Sequence, residues 1–165
     1  MRLLKLGVIS IVVFSILILL LSLLFPSHVR ISRAVNIYAT RDSILIPLAD
    51  IRKWKQWNEM TRNNTLNEKN YSEKEFNSTE LKIKLSSVSI DSVVSAWQYK
   101  DSKPIYSGFN LVQSLTDTTV VQWYFDFHLN WYPWEKFSSI IFDQQLGPSM
   151  EKSLNELKST VETSH

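Results

Sequence analysis

The sequence predicts an α+β domain behind an apolar N-terminal helix, and three observations predict it. Residues 6–25 carry no charge. The middle of the chain is a series of short alternating segments separated by polar turns. From residue 134 the apolar period changes to three or four. Strands followed by a helix give an α+β arrangement. A sheet with one apolar face must bury it, so the expected architecture is a curved antiparallel sheet wrapped around a long C-terminal helix.

The N-terminal run is long enough to span a bilayer: twenty helical residues rise about 30 Å. A cleaved signal peptide and an uncleaved anchor both begin with basic residues, here Arg2 and Lys5. The apolar run exceeds the usual signal core of about 7–15 residues, and the following FPSHVRIS has no A-x-A site. Residues 1–26 are therefore read as a single-pass anchor and 27–165 as one domain. Basic residues lie on both sides of the span, Arg30 and Arg33 beyond it. The short basic start favours an N-inside orientation.

In VRISRAVNIYA (29–39), Val29, Ile31, Val35 and Ile37 fall on one face, as in a strand. Thr40 or Asp42 can cap a helix through Ile44, Leu48, Ile51 and Trp54, which Pro47 should break or kink. Residues 58–80 read as a long polar loop or weak strand. ELKIKLSS alternates strictly, and after Ser86 and Ser87 the apolar set moves to Val88 and Ile90, as a bulge requires. Two more strands follow, one with Trp97 and Tyr99 and one with Phe109, Leu111 and Gln113 in phase. In residues 118–131 the odd positions from Val121 on are all apolar, four of them aromatic, and the even positions mostly polar, giving a strand with one wet side. The C-terminal helix is expected in two pieces, with Gly147 and Pro148 at the break.

Composition narrows function. Beyond Arg2 and Lys5 the chain carries 16 basic and 16 acidic residues, which gives no positive field for nucleic acid. It has no cysteine, hence no lipoprotein attachment site and no thiol nucleophile. No zinc motif or nucleophile elbow occurs, and no metal or cofactor is expected. Of the three histidines, His28 follows the anchor, His165 ends the chain and His128 falls on the wet face. None is placed as a general base. Asp126 and His128 share that face, which is read as a solvated sheet surface on which the two could form a polar pair.

Four segments in order resemble the START-like superfamily, in particular the polyketide cyclase/dehydrase (SRPBCC) group. They are VNIYATRDSILIPLAD; Asp50 with Trp54 and Trp57; Thr-Thr-Val-x-x-Trp at 118–123; and GPSMEKSLNELKSTVE. Ser153 departs from the glycine common in that last helix. The resemblance implies a helix-grip fold with a cavity between sheet and helix, used by relatives for lipids, polyketides and other apolar ligands. It also implies that Trp54 faces inward while Trp57 caps the rim; plugging the core and gating a ligand are both open roles. The candidate ligand-lining residues are Trp54, Trp57, Trp97, Tyr99, Phe109, Gln113, Trp123, Phe125 and Phe127, with Tyr106 as a further hydrogen-bonding candidate. These rings can line a cavity or fill it.

The leading expectation is a membrane-tethered domain that binds an apolar or amphipathic small molecule or lipid, with the membrane contacted through residues 6–25. A cyclase- or hydrolase-type enzyme is the second reading. A protein-interaction module with a filled cavity, presenting the loop at 63–77, is the third.

Overall fold

The computed structural model describes residues 2–23, 27–115, 117–129 and 132–163. Trp131 and His165 lie outside them, as do the expected inward side chains of Phe137 and Ile140 and residues 24–25 of the apolar run.

The N-terminal helix α1 (Arg2–Ser22) contains an apolar span, Leu4–Ser22, of mean hydropathy 2.8, whose apolar side chains are almost all exposed while Ser22 at its end is buried. It is long and apolar enough to cross a membrane, a property that anchors and signal sequences share.

The described residues then form one antiparallel sheet of seven strands. These are β1 (His28–Ile37), β2 (Asn70–Tyr71), β3 (Glu75–Asn77), β4 (Leu81–Val88), β5 (Ser92–Tyr99), β6 (Ile105–Leu115) and β7 (Thr118–His128). Their spatial order is β1-β7-β6-β5-β4-β3-β2. The first strand thus pairs with the last, from His28↔His128 to Ile37↔Thr119. Between β1 and β2 the chain crosses one face through α2 (Arg41–Ala49), a 3-10 turn at Ile51–Lys53, α3 (Trp54–Trp57) and α4 (Glu59–Arg62). The long α5 (Pro133–Glu162) closes the grip.

The alternation expected of β7 holds along its length: Val121, Trp123, Phe125 and Phe127 are buried. They face the helix layer, where Met150, Leu154, Leu157 and Val161 of α5 are buried in the same cluster. The expected bulge lies in β4, where the register with β5 shifts between Leu85 and Ser87.

Three expectations are corrected. The polar segment 58–80 is neither one loop nor one weak strand; it supplies α4 and two short strands, β3 and the edge strand β2. The helical run from Ile44 to Trp54 is broken as expected, but after Ala49 and not at Pro47, which lies inside α2. Gly147 and Pro148 do not divide α5, which is continuous over 30 residues. Pro148 removes the donor to the Gln144 carbonyl, but both residues are on the exposed side, where water serves that carbonyl. Gly147 is buried beneath Arg33 of β1: a Cβ there would come within 2.3 Å of the guanidinium. Arg33 pairs with Asp143 at 2.9 Å and Glu151 at 2.7 Å, one on each side of that glycine.

Glycine is scarce, and serine closes the hairpins. Ser72 and Ser78 each accept from the backbone N–H three residues on, at 3.0 and 2.9 Å, and donate their hydroxyl to the carbonyl of the same residue. Elsewhere the chain tolerates left-handed backbone without glycine, at Glu68 (φ 51°) and Lys100 (φ 49°).

Candidate functional site

Helix α2 ends in carbonyls with no partner of their own helix, as every helix must. Two indoles supply the donors. Trp54 Nε1 donates to the Leu48 carbonyl at 3.0 Å, and Trp57 Nε1 to the Pro47 carbonyl at 3.4 Å. Asp50 accepts from the Arg52 N–H at 3.0 Å and pairs with its guanidinium, turning the chain into the 3-10 segment. The Arg52 bond holds the Asp50 carboxyl below the usual carboxylate range. The tryptophans sit in a charged stretch because they cap the preceding helix from inside, while Arg52 and Lys55 stay in water. Trp57 has no exposed surface, so it does not cap the rim as expected.

These indoles complete a packed aromatic interior. Trp57 lies against Trp54, Phe109 and Trp123 at centroid distances of 5.4, 5.8 and 6.4 Å. Phe109 stacks on Trp123 at 5.0 Å, and Phe125 continues the row to Phe127 at 6.3 Å. Each buried indole N–H in this interior has a protein acceptor. Trp123 Nε1 donates to Ser107 Oγ at 2.8 Å, which passes its own proton to the Tyr124 carbonyl at 2.8 Å. Trp97 Nε1 donates to Ser95 Oγ at 2.9 Å. Ser95 and Ser107 are fully buried, each holding an indole in place. Rings fill this part of the grip.

Open space lies at the end of the filled core. A half-open groove of about 740 Å³ runs between α4 and its following loop, the paired ends of β4 and β5, and the middle of α5. Met60, Leu66, Leu81, Trp97 and Leu146 contribute its apolar surface, and Asn63, Asn64, Thr65, Glu80, Tyr99 and Ser149 its polar border. Its volume falls within the range of about 300–1,000 Å³ usual for small-molecule sites.

A network braces one wall. Glu59 pairs with Lys152 of α5 at 2.8 Å and with Arg62 at 3.1 Å, and Arg62 also pairs with Glu156. Ser153 Oγ accepts from the Glu59 N–H at 2.9 Å and donates to the Ser149 carbonyl at 2.7 Å. Where glycine would merely allow close approach, serine ties α4 to α5. Lys152, with Arg62, holds the Glu59 carboxyl below the usual carboxylate range. On the opposite wall Tyr99 donates to Glu80 at 2.5 Å, lowering the carboxyl and raising the phenol.

Of the expected lining residues, Trp97 and Tyr99 border the groove. Trp54, Trp57, Phe109, Trp123, Phe125 and Phe127 meet in the packed interior. Gln113 keeps its predicted phase but is exposed, beside the register shift between β6 and β7. Tyr106 is exposed on the outer face. Asp126 pairs not with His128 but with Arg30 across the strands, by two bonds of 2.6 and 2.7 Å. His128 stands edge-on to His28 at 4.3 Å. Sequence reading missed Met60, Leu66 and Leu81, because each is an ordinary apolar residue in or beside a polar stretch. It also missed Ser95 and Ser107, although serine in phase with buried rings was a usable signal.

Among the described residues no cluster of three His, Asp or Glu is arranged to hold a metal ion.

No protein-family model matches the chain, and no curated protein matches it. Solved structures share its fold. A START superfamily protein from Mycobacterium smegmatis superposes with a TM-score of 0.60 at 16% identity, over 82% of this chain and 99% of that one. A Staphylococcus aureus protein of unknown function gives 0.65 at 14% identity, over 83% and 95%. DynU16, from the dynemicin biosynthetic locus, gives 0.57 at 14%, over 82% of this chain and 48% of that one. The chain therefore has the START-like helix-grip fold, with an apolar helix added at its N-terminus.

Proposed function

We propose that residues 1–26 anchor the chain in a membrane and that residues 27–165 form a domain binding an apolar or amphipathic small molecule. The observation that carries this reading is the groove: an apolar floor at Trp97, Leu66 and Leu81 beneath a polar border. An alkyl chain on that floor gains about 0.8 kcal/mol for each methylene removed from water. The polar border suits a head group that stays hydrated. The START-like resemblance supports the same ligand class.

Binding fits the groove's electrostatics better than proton transfer does. A general acid or base works best with a pKa near the operating pH. Both bordering carboxylates, Glu59 and Glu80, are shifted the other way by their ion-pair and hydroxyl partners.

The filled aromatic interior favours a second reading, a protein-interaction module, because buried rings occupy space between sheet and helix that an enclosed ligand would need. Native mass spectrometry of the full chain released from nanodiscs separates the two. The ligand reading expects a bound apolar molecule that Asn64→Trp, at the exposed border, displaces. Absence of any bound molecule from both forms would contradict it.

A further inference from the structure

The groove border and the start of β1, the first strand after the apolar helix, lie at the same end of the sheet. Chain direction shows this. β1 starts at His28, directly after residues 23–27, and pairs there with His128, the last residue of β7. Antiparallel pairing carries the same end across the sheet, to the start of β6, the end of β5 at Tyr99 and the start of β4 at Leu81, which pairs with Tyr99. The border of the groove is built there. Two backbone bonds tie its loops together: Thr79 N–H to the Asn67 carbonyl at 3.2 Å, and Lys100 N–H to the Glu80 carbonyl at 2.7 Å. The opposite end holds Ile37 and the last turn of α5, where Glu162 accepts from the Tyr38 N–H.

The distances are short. Residues 23–27, even fully extended, reach about 17 Å. From β1 to β5 is three strand spacings, about 14 Å if the sheet were flat. Together these lengths keep the groove border within about 30 Å of the end of α1.

Resting on the ligand-binding reading above, we propose that the ligand is a lipid drawn from the same membrane that holds α1, entering between the Leu81–Tyr99 strand ends and the loop at 63–67. A half-open groove holds an apolar molecule poorly in transit through water, because its outer side stays wet. It needs no closed chamber when the donor membrane is tethered beside it. The tether makes lipid capture effectively intramolecular, so a weak and open site is filled by proximity. The border is polar but carries paired charges: Arg62 with Glu59 and Glu156, and Lys100 with Glu80 at 3.4 Å. That arrangement suits a zwitterionic or uncharged head group left at the interface.

The test uses the full chain reconstituted in phosphatidylcholine vesicles, with a phosphatidylcholine bearing a photoactivatable acyl chain. The probe is placed either in the protein's own vesicles or in separate protein-free vesicles. Crosslinks are mapped by peptide mass spectrometry, with labelling of α1 as the internal standard for membrane contact. The expected result is labelling of peptides containing Leu66, Leu81 or Trp97 about tenfold stronger from the protein's own vesicles than from separate ones. Asn64→Trp, on an exposed position, should reduce groove labelling severalfold and leave α1 labelling unchanged. A flexible Gly/Ser spacer inserted after Ser27 should also reduce it. Equal groove labelling from both vesicle populations would overturn same-membrane capture while leaving the ligand reading intact. Labelling of α1 alone, with the groove taking up 1-anilinonaphthalene-8-sulfonate instead, would overturn the lipid assignment only. A groove that takes neither probe overturns both.

Discussion

Trp54, Trp57 and Trp123 close on one another around Phe109 with no exposed surface, whereas Trp97, stacked 6.0 Å from Trp54, also contributes to an open groove. All four indoles donate to protein acceptors. What separates them is what lies on the far side of the ring. Behind the first three stand helix ends and strands; beside Trp97 the layer thins to α4's loop and the middle of α5. In this grip the bulkiest side chains give a fixed core, and the site lies where they run out.

The comparison breaks hardest at Trp123. Trp123→Ala removes a ring packed against Trp57, Phe109 and Phe125 and should cost about 3–5 kcal/mol, read as a lower chemical-denaturation midpoint. A loss below about 1 kcal/mol would mean that this region is not tightly packed. Ser107→Ala leaves the Trp123 N–H buried without its acceptor and should cost about 1–3 kcal/mol at unchanged m-value. At the groove, the exposed Asn64→Trp used to block the border should change stability by no more than about 0.5 kcal/mol.

Smaller effects concern the frame. Lys100→Gly relieves a left-handed backbone at the β5–β6 turn and should stabilise by up to about 1 kcal/mol, less the weak exposed pair with Glu80. Glu59 tests the wall of the groove by pH. Its carboxyl is held low in the folded state, so the unfolded chain binds its proton first as the pH falls. Its contribution is complete above the ordinary carboxylate range and fades as pH drops through the lowered value. Glu59→Gln should therefore flatten the acid limb of the Tm–pH curve slightly and leave the profile from pH 6 to 8 unchanged in shape. A steeper acid limb in the variant would contradict the pairing with Lys152.

The sheet, its aromatic face and the bulge after Leu85 were legible because a strand's period of two leaves a direct record in the sequence. Continuity of α5 was not, since Gly147 and Pro148 signal a break unless Arg33 and the exposed face of Pro148 are known. Trp54 faces inward as expected and Trp57 does too, against expectation; the partners of both indoles are backbone carbonyls, which sequence does not mark. The groove was half legible. Trp97 and Tyr99 lay in a recognisable strand, whereas Leu66 and Met60 reach it only through the path of the chain after Trp57. Gln113 shows the limit of phase: it has the correct parity but is exposed where the pairing of β6 with β7 shifts register.

Indole NMR reads the contrast most directly. In the full chain in nanodiscs, labelled at the tryptophan Nε1 and assigned by single Trp→Phe exchanges, titration with a short-chain lysophosphatidylcholine should shift the Trp97 signal most. The signals of Trp54, Trp57 and Trp123 should stay near their starting positions and remain slow to exchange their protons. Large shifts at Trp57 and Trp123 with Trp97 unmoved would place the ligand inside the grip and contradict the site described above.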